Sequence, residues 1–190
     1  MVINPMVSDG SRTSDIFSEN LQHGIIHIVG EVCDEMAASV TAQLLSAKGN
    51  SCLEAVDIYI NSPGGSVSAG LAIYDAMKYM EKQGMNIRTF CLGRAASMGA
   101  VLLSGGTKGQ RFLLPHAEVM IHQPSGGMEG QSSDMVIAAD HIKEVRDILN
   151  GILADNTGKS VEEIRRYTER DYWMRAQDAV AFGIADQVLD

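Results

Sequence analysis

The sequence lacks several features that would assign it to common classes of protein. No apolar run approaches the roughly 20 residues that a membrane-spanning helix needs. The first residues have neither the basic nor the apolar segment of a secretory signal. There is no run of lysine and arginine, and the formal net charge is −9, which argues against nucleic acid or an anionic membrane as a partner. We therefore expect a cytoplasmic protein.

Cysteine is scarce as well. Cys33, Cys52 and Cys91 lie far apart and form no Cys-x-x-Cys or Cys/His spacing. Such cysteines are typical of buried thiols in a reducing compartment, so we expect neither disulfides nor a zinc site. The glycine-rich residues 104–109 do not match the phosphate loop G-x-x-x-x-G-K-[ST]. We expect no metal and no cofactor in this chain.

The residues that are present predict one α/β domain. A chain of 190 residues with 45% apolar and 21% charged residues can bury a substantial core. Strands are predicted over 25–29, 56–60, 87–92, 111–114, 118–122 and 184–189. Helices are predicted over 34–48, 67–82, 132–155, 160–167 and 176–182. Their alternation indicates largely parallel strands. We expect a flexible N-terminal segment over 1–13 and a single domain over 14–190.

One serine stands out because of its neighbours. Ser97 follows the strand predicted over 87–92, and residues 95–99 (Ala-Ala-Ser-Met-Gly) are the G-x-S-x-G nucleophile elbow with alanine at the first position. Small neighbours allow a sharp turn and leave the serine oxygen near a helix N-terminus, which favours negative charge. The motif alone also fits tight helix packing, so a nucleophilic Ser97 requires a base elsewhere in the chain.

His122 is the best candidate for that base among the five histidines. It ends an apolar strand, where a polar side chain can project into a cleft; the alternative is a core histidine bonded to the backbone. Asp171 is the chosen carboxylate because it lies between two predicted helical segments beside the only tryptophan. A helix cap or a surface ion pair is the alternative, and spacing alone cannot select the acid. The aspartates assigned instead to caps and helix surfaces are Asp134, Asp140, Asp178 and Asp186.

The turn at residues 61–66 (Asn-Ser-Pro-Gly-Gly-Ser) has the composition of an oxyanion hole. Paired glycines let a backbone N–H point outward with no side chain in the way, and Gly65 is the expected donor. The N–H of Met98, the residue after the serine, is its natural partner. An ordinary Pro-Gly turn before a helix is the alternative.

Four short blocks of sequence carry a further signal. They are 59–65 (Tyr-Ile-Asn-Ser-Pro-Gly-Gly), 93–100 (Gly-Arg-Ala-Ala-Ser-Met-Gly-Ala), 120–124 (Met-Ile-His-Gln-Pro) and 168–171 (Thr-Glu-Arg-Asp). Together they resemble the ClpP family, the proteolytic subunits of the ATP-dependent Clp serine protease, and the likeness extends over about 14–189. The resemblance implies Ser97 as nucleophile, His122 as general base and then acid, and Asp171 as the orienting carboxylate. It places the Gly65 and Met98 amides on the oxyanion.

The same resemblance implies a fold and an assembly. The fold would be a crotonase-like spiral of ββα units with a protruding strand–helix handle at about 123–155, by which two seven-membered rings stack into a closed barrel. Arg170 matches a position that pairs with Asp171 across the rings. Residues 1–13 would line the pore, and part of them could be a propeptide. A hexameric AAA+ unfoldase of the ClpX, ClpA or ClpC type would dock in apolar pockets on the ring face, at positions matching Tyr59, Phe90, Leu92, Leu114 and Leu189.

The implied activity is that of a self-compartmentalised endopeptidase, which cuts unfolded polypeptides into short peptides and is fed by the unfoldase. Two other hypotheses stand beside it. A crotonase-type acyl-CoA enzyme would share the fold and the oxyanion hole but would need no serine nucleophile. A non-catalytic subunit of a mixed ring would typically lack one member of the triad, whereas this sequence contains all three.

Overall fold

The structure is a computed structural model, and it describes residues 5–8, 10, 13–49, 53–127 and 129–189. Within these ranges the chain forms nine strands and seven helices. The strands are β1 (Met6–Ser8), β2 (Thr13–Asp15), β3 (Ile25–Val29), β4 (Ala55–Ser62), β5 (Asn86–Ala96), β6 (Arg111–Leu113), β7 (Glu118–Ile121), β8 (Tyr172–Arg175) and β9 (Gln187–Val188). The helices are α1 (Ile16–Gln22), α2 (Asp34–Lys48), α3 (Val67–Lys82), α4 (Met98–Ser104), α5 (Ser132–Thr157), α6 (Val161–Tyr167) and α7 (Ala176–Phe182).

A seven-stranded sheet forms the centre of the molecule. Strands β3, β4, β5, β6 and β9 are neighbours in that order, and each adjacent pair is parallel. Burial alternates along β4, as expected where the two faces of a sheet meet different surroundings. The predicted α/β class with largely parallel strands is confirmed.

Strand β5 is longer than the sequence indicated, because it changes partner along its length. Its first part, Thr89 to Cys91, pairs with β6, and its last part, Arg94 to Ala96, pairs with β7. Between them Gly93 has a φ of +79°, a conformation that glycine adopts without strain. The predicted end at residue 92 was therefore too early. The extension carries the chain up to Ser97.

Strand β8 was not predicted at all. It pairs antiparallel with β7, and the register places Ile121 opposite Tyr172 and Glu118 opposite Arg175. The strand has only four residues, so its local pattern is weak and its pairing with a distant segment creates it. The C-terminal strand is likewise shorter than predicted and comprises Gln187–Val188 alone.

The helices pack on this sheet through small and apolar residues. All seven residues of α4 are buried, and α2 and α3 each bury one side against the core. A capping box begins α6, where the Ser160 hydroxyl accepts from the Glu163 N–H and the Glu163 carboxylate accepts from the Ser160 N–H. No helix in the described ranges is long and apolar enough to cross a membrane.

The long helix α5 corresponds to the helix of the expected handle. Exposed apolar side chains lie near its start, at Met135, Val136 and Ile137. The described residues between Ile121 and α5 (122–127 and 129–131) form no strand in the single chain, so the strand of the handle is not seen. A strand needs partners for its backbone groups, and within the described residues this segment has one such bond from its second residue, Gln123 N–H to Thr168 O, and forms no ladder.

The N-terminal segment contains a short hairpin. Strand β1 pairs antiparallel with β2, and Asp15 then caps α1 by accepting from the Phe17 and Ser18 N–H groups. Residues 1–4, 9, 11 and 12 lie outside the described residues. A flexible pore-lining role for residues 1–13 stays a prediction.

Candidate active site

Ser97 occupies a sharp turn between β5 and α4. Its φ of 53° and ψ of −121° make it the one non-glycine residue with positive φ in the described ranges. Such backbone strain is found mainly where the surrounding structure imposes it, as at active sites. Here the Ser97 N–H is held by the Met120 carbonyl at 2.8 Å, while the Ser97 carbonyl accepts from the first turns of α4. The turn has the form of a nucleophile elbow.

The pairing of β7 with β8 positions the histidine and the acid. Ile121 lies opposite Tyr172 in this antiparallel ladder. Antiparallel register runs in opposite directions along the two strands, so the next opposed pair is His122 and Asp171. Two residues 49 positions apart are thereby brought face to face at the end of the ladder.

The three side chains predicted from the sequence meet in a continuous hydrogen-bonded row. The distance from Ser97 Oγ to His122 Nε2 is 2.9 Å, and the distance from His122 Nδ1 to Asp171 Oδ1 is also 2.9 Å. An aspartate that accepts from Nδ1–H leaves Nε2 free to accept from the serine hydroxyl. The arrangement can therefore pass a proton from oxygen to imidazole. The Asp171 side chain is 61% exposed in the single chain, and His122 is 26% exposed.

The N–H of Gly65 points away from Val32, the residue with which Gly65 forms a bridge. Val32 forms a parallel bridge with Gly65, in which Val32 N–H donates to Gly64 O and Ser66 N–H donates to Val32 O, both at 2.8 Å. In such a bridge the N–H of Gly65 itself points to the other side. A β-carbon on Gly65 would lie 2.2 Å from Val32 O, so the close approach requires glycine.

The second predicted donor, Met98 N–H, is at the first position of α4, where helical amides have no intrahelical partner. The turn at residues 61–66 packs against this amide through Gly64. A β-carbon on Gly64 would lie 2.6 Å from Ser97 Cβ and 3.1 Å from Met98 N. Neither Gly65 N–H nor Met98 N–H donates to any residue that the structure describes. Both amides are therefore unused: that of Met98 directly follows Ser97 in the chain, and that of Gly65 directly follows Gly64, which packs against Ser97.

Two residues that position the site were not identified from the sequence. Gly64 was noticed only as half of a glycine pair, although it is the glycine of that pair that packs directly against Ser97. Gln123 donates hydrogen bonds from its backbone N–H and its side chain to the carbonyls of Thr168 and Glu169, just before Asp171. The sequence offered one indication that Gln123 has a role at the site, namely its position directly after His122.

The cysteines and possible metal ligands are not part of the hydrogen-bonded row of Ser97, His122 and Asp171. Burial raises the pKa of the Cys91 thiol to about 12, so this thiol is inert at neutral pH. Cys33 and Cys91 are free thiols, and Cys52 lies outside the described residues. Across the described ranges, no group of three or more His, Cys, Asp or Glu side chains is arranged to hold a metal ion.

The five positions expected to dock a partner lie on and just after neighbouring strands. The rings of Tyr59 and Phe90 are stacked at 4.8 Å, and that of Phe112 continues the row at 5.0 Å from Phe90. Leu114 is 40% exposed, while Leu92 and Leu189 are half-buried. Arg170 is exposed. The docking and ring-contact roles of these residues stay predictions.

Comparison with known proteins identifies the family of this chain. A sequence model of the family described as Clp protease matches residues 8–190. The ATP-dependent Clp protease proteolytic subunit of Streptococcus suis (strain 98HAH33) is 47% identical over 191 residues, covering 100% of this chain and 96% of that protein. The subunit of the same name from Streptococcus gordonii (strain Challis) is 47% identical over 190 residues, covering 99% and 95%. The chain therefore belongs to the Clp protease family.

Proposed function

We propose that this chain is the proteolytic subunit of a Clp-type serine protease, an endopeptidase that cleaves unfolded polypeptides through an acyl-enzyme. The observation that carries the proposal is the pair of 2.9 Å contacts joining Ser97 Oγ, His122 and Asp171. In the first step His122 Nε2 takes the hydroxyl proton while Ser97 Oγ attacks the carbonyl carbon of the scissile bond. Asp171 accepts from Nδ1–H, which holds the required tautomer and stabilises the imidazolium.

The negative charge of the tetrahedral intermediate falls on the former carbonyl oxygen. The amides of Gly65 and Met98 are the proposed donors for it, because both are free, Met98 follows Ser97, and Gly65 follows Gly64, which packs against Ser97. One donor of this kind contributes roughly 10²–10³ in rate. Collapse of the intermediate breaks the C–N bond, and the imidazolium protonates the leaving amine.

Hydrolysis of the acyl-enzyme repeats the same steps with water. His122 takes a proton from a water molecule, which attacks the ester carbon of acylated Ser97. The second tetrahedral intermediate uses the same two amides. The proton then returns to Ser97 Oγ, and the carboxylic acid product leaves.

Assembly and partners belong to the same proposal. The exposed Met135, Val136 and Ile137 of α5 are suited to burial against another copy of the chain, in two stacked seven-membered rings. The names of the relatives imply an ATP-dependent partner, and a hexameric AAA+ unfoldase would supply unfolded polypeptide. Arg170 would pair with Asp171 across the rings. Cleavage would then be limited by access to a closed chamber in the cytoplasm, and this chain would need no cofactor.

Labelling and peptide cleavage by the full chain test the activity. Ser97→Ala should abolish labelling by a fluorophosphonate and lower cleavage of a fluorogenic peptide by about 10³-fold or more. Ser46→Ala is the matched control, because Ser46 is exposed on α2 far from the site in sequence, and it should change neither measurement. Peptide cleavage that persists unchanged in Ser97→Ala would overturn the proposal. A wild-type chain that is never labelled at Ser97 would favour the crotonase-type alternative.

A further inference from the structure

Ser62, the last residue of β4, is buried and uses its hydroxyl twice. The residue is 0% exposed. Its Oγ donates to the carbonyl of Gly30 at 2.6 Å and accepts from the N–H of Gly64 at 3.1 Å. A carbonyl can only accept and an amide N–H can only donate, so both roles of the hydroxyl are fixed. Ser62 therefore joins the turn at residues 61–66 to the loop at residues 30–33, which follows β3.

The same residue lies beside the strand that leads to the nucleophile. Ser62 is opposite Ala95 in the parallel pairing of β4 and β5, two residues before Ser97. A β-carbon on Gly99 would lie 3.1 Å from Ser62 O and 3.3 Å from Ser62 Cβ, so the start of α4 packs closely on this serine. One buried residue thus connects the loop after β3, the glycine turn and the elbow of the nucleophile.

The direction of the Gly65 N–H depends on the peptide unit between Gly64 and Gly65. This unit is trans, so its C=O and its N–H point in opposite directions. The Val32 N–H donates to the Gly64 carbonyl at 2.8 Å, and this bond turns the Gly65 N–H to the opposite side. The Ser62 hydroxyl holds the N–H of Gly64, on the other side of the same α-carbon. Hydrogen bonds therefore fix the backbone of Gly64 at both ends.

The glycine turn requires this support because its backbone is intrinsically free. Gly64 and Gly65 have φ values of +94° and +149°, and glycine loses more conformational freedom on folding than any other residue. No side chain can be added to restrict it, since a β-carbon on Gly65 would lie 2.2 Å from Val32 O. Hydrogen bonds from outside the glycine pair are thus the means of holding the turn in one orientation.

We propose that Ser62 is a positioning residue for the oxyanion hole, whose hydroxyl fixes the turn so that the Gly65 N–H is aimed at the developing negative charge. The inference rests on the proposed function, in which that N–H stabilises the tetrahedral intermediate. Donors of this kind are effective because they are already oriented where the charge develops. Ser62 is buried and acts through Gly64 and Gly65. Its loss should therefore lower kcat and leave KM, which reports ground-state binding, little changed.

The test compares two matched substitutions of buried serines in the full chain. Ser62→Ala removes both hydrogen bonds with little change of shape. Ser104→Ala removes an equivalent pair, because Ser104 is 1% exposed and its hydroxyl donates to Val101 O at 2.8 Å and accepts from Asn156 Nδ2 at 3.0 Å. Ser104 is the last residue of α4, at the opposite end of that helix from Ser97. Both variants should unfold at similarly lowered urea concentrations.

Cleavage of a fluorogenic peptide and inhibition by a peptidyl aldehyde separate the two variants. In Ser62→Ala, kcat should fall about tenfold or more while KM stays within about threefold. With the aldehyde, Ser97 Oγ adds to the carbonyl carbon and its proton passes to His122, so the aldehyde oxygen takes the oxyanion position. Affinity for the aldehyde should fall by the same factor as kcat/KM. Ser104→Ala should keep both quantities within about twofold of the wild type.

Each outcome decides the inference. A fall in kcat of less than about threefold in Ser62→Ala would overturn it while leaving the peptidase activity in place. Equal losses in both variants would also overturn it, because reduced stability would then explain them. If Ser62→Ala does not fold, as judged by circular dichroism, Ser62→Cys decides. Its thiol keeps the shape but is a weak donor and acceptor, so kcat should fall about fivefold or more, and a smaller fall contradicts the role of Ser62. Failure of the wild type to cleave any peptide would overturn the proposed function, and the inference with it.

Discussion

The backbone N–H of Gln123 donates a hydrogen bond of 2.6 Å to the carbonyl oxygen of Thr168. The side chain of the same glutamine donates a second, of 2.9 Å, to the carbonyl of Glu169. These two bonds tie the residue after His122 to the segment that ends in Asp171. The contact between imidazole and carboxylate therefore depends on a residue that is not itself in the hydrogen-bonded row.

Gln123→Ala should loosen the acid without removing it. One hydrogen bond to the Glu169 carbonyl is lost, so we expect Asp171 to be less well placed and kcat/KM to fall about 10- to 100-fold. The free energy of unfolding should fall by only about 1 kcal/mol. Peptide cleavage and urea unfolding measure the two effects. Gln177→Ala, an exposed glutamine on α7, is the control, and equal activity in both variants would contradict this role for Gln123.

Asp171→Asn keeps the shape of the acid but removes its charge. The asparagine can donate to Nδ1, which favours the wrong imidazole tautomer and no longer stabilises the imidazolium. We expect kcat to fall about 10²–10⁴-fold, with little change in the free energy of unfolding, because the Asp171 side chain is 61% exposed. Asp178→Asn, on the exposed face of α7, should retain full activity. Normal turnover by Asp171→Asn would show that another group orients His122.

Gly64→Ala should damage the nucleophile through direct contact. Its φ is +94°, and a β-carbon would lie 2.6 Å from Ser97 Cβ and 2.8 Å from Ala96 O. Gly84 is a matched control, since its φ is +89° but nothing lies within 4 Å of the added carbon. We expect Gly84→Ala to cost about 1–2 kcal/mol of stability and no activity. Gly64→Ala should lose stability and also nearly all fluorophosphonate labelling; if the two variants label equally, crowding at Ser97 is not the cause.

Asp186 should make the stability depend on pH. It was assigned from the sequence to a cap or helix surface, but it binds the buried Arg111 guanidinium at 2.6 and 2.9 Å. Burial alone would raise the pKa of Asp186, but the hydrogen bonds and charge of Arg111, together with backbone amides, lower it below the usual value. A lowered pKa in the folded state means that the carboxylate stabilises the fold above about pH 4 and that this stabilisation is lost on further acidification.

Urea unfolding of wild type and Asp186→Asn between about pH 3 and pH 7 measures this effect. At neutral pH the variant should be less stable by about 3 kcal/mol, because Arg111 is left buried without its counter-ion. The difference should shrink as the pH falls towards 3. Asp147→Asn removes an exposed ion pair with Arg165 and should change stability by less than about 1 kcal/mol. A difference that stays constant with pH would contradict the lowered pKa of Asp186.

Local patterns were sufficient for the longer elements. Apolar periodicity predicted α2 and α3 with the bounds that the structure shows, and Gly183 ends α7 as expected, with a φ of +100°. The elbow at Ser97 and the glycine turn before α3 were also recognisable, because each depends on small residues that are adjacent in the chain. Selection of Asp171 over other aspartates required the family resemblance, since spacing alone left the acid open.

By itself, then, the sequence determined the α/β class, the main helices and the residue types that can carry acyl transfer. Only the tertiary structure decided how these residues meet: the register of β7 on β8 and the change of partner along β5. The physical reason is the range of the interactions. Helix periodicity and turn chemistry act over a few neighbouring residues, whereas these strand pairings join residues 22 to 57 positions apart in the chain.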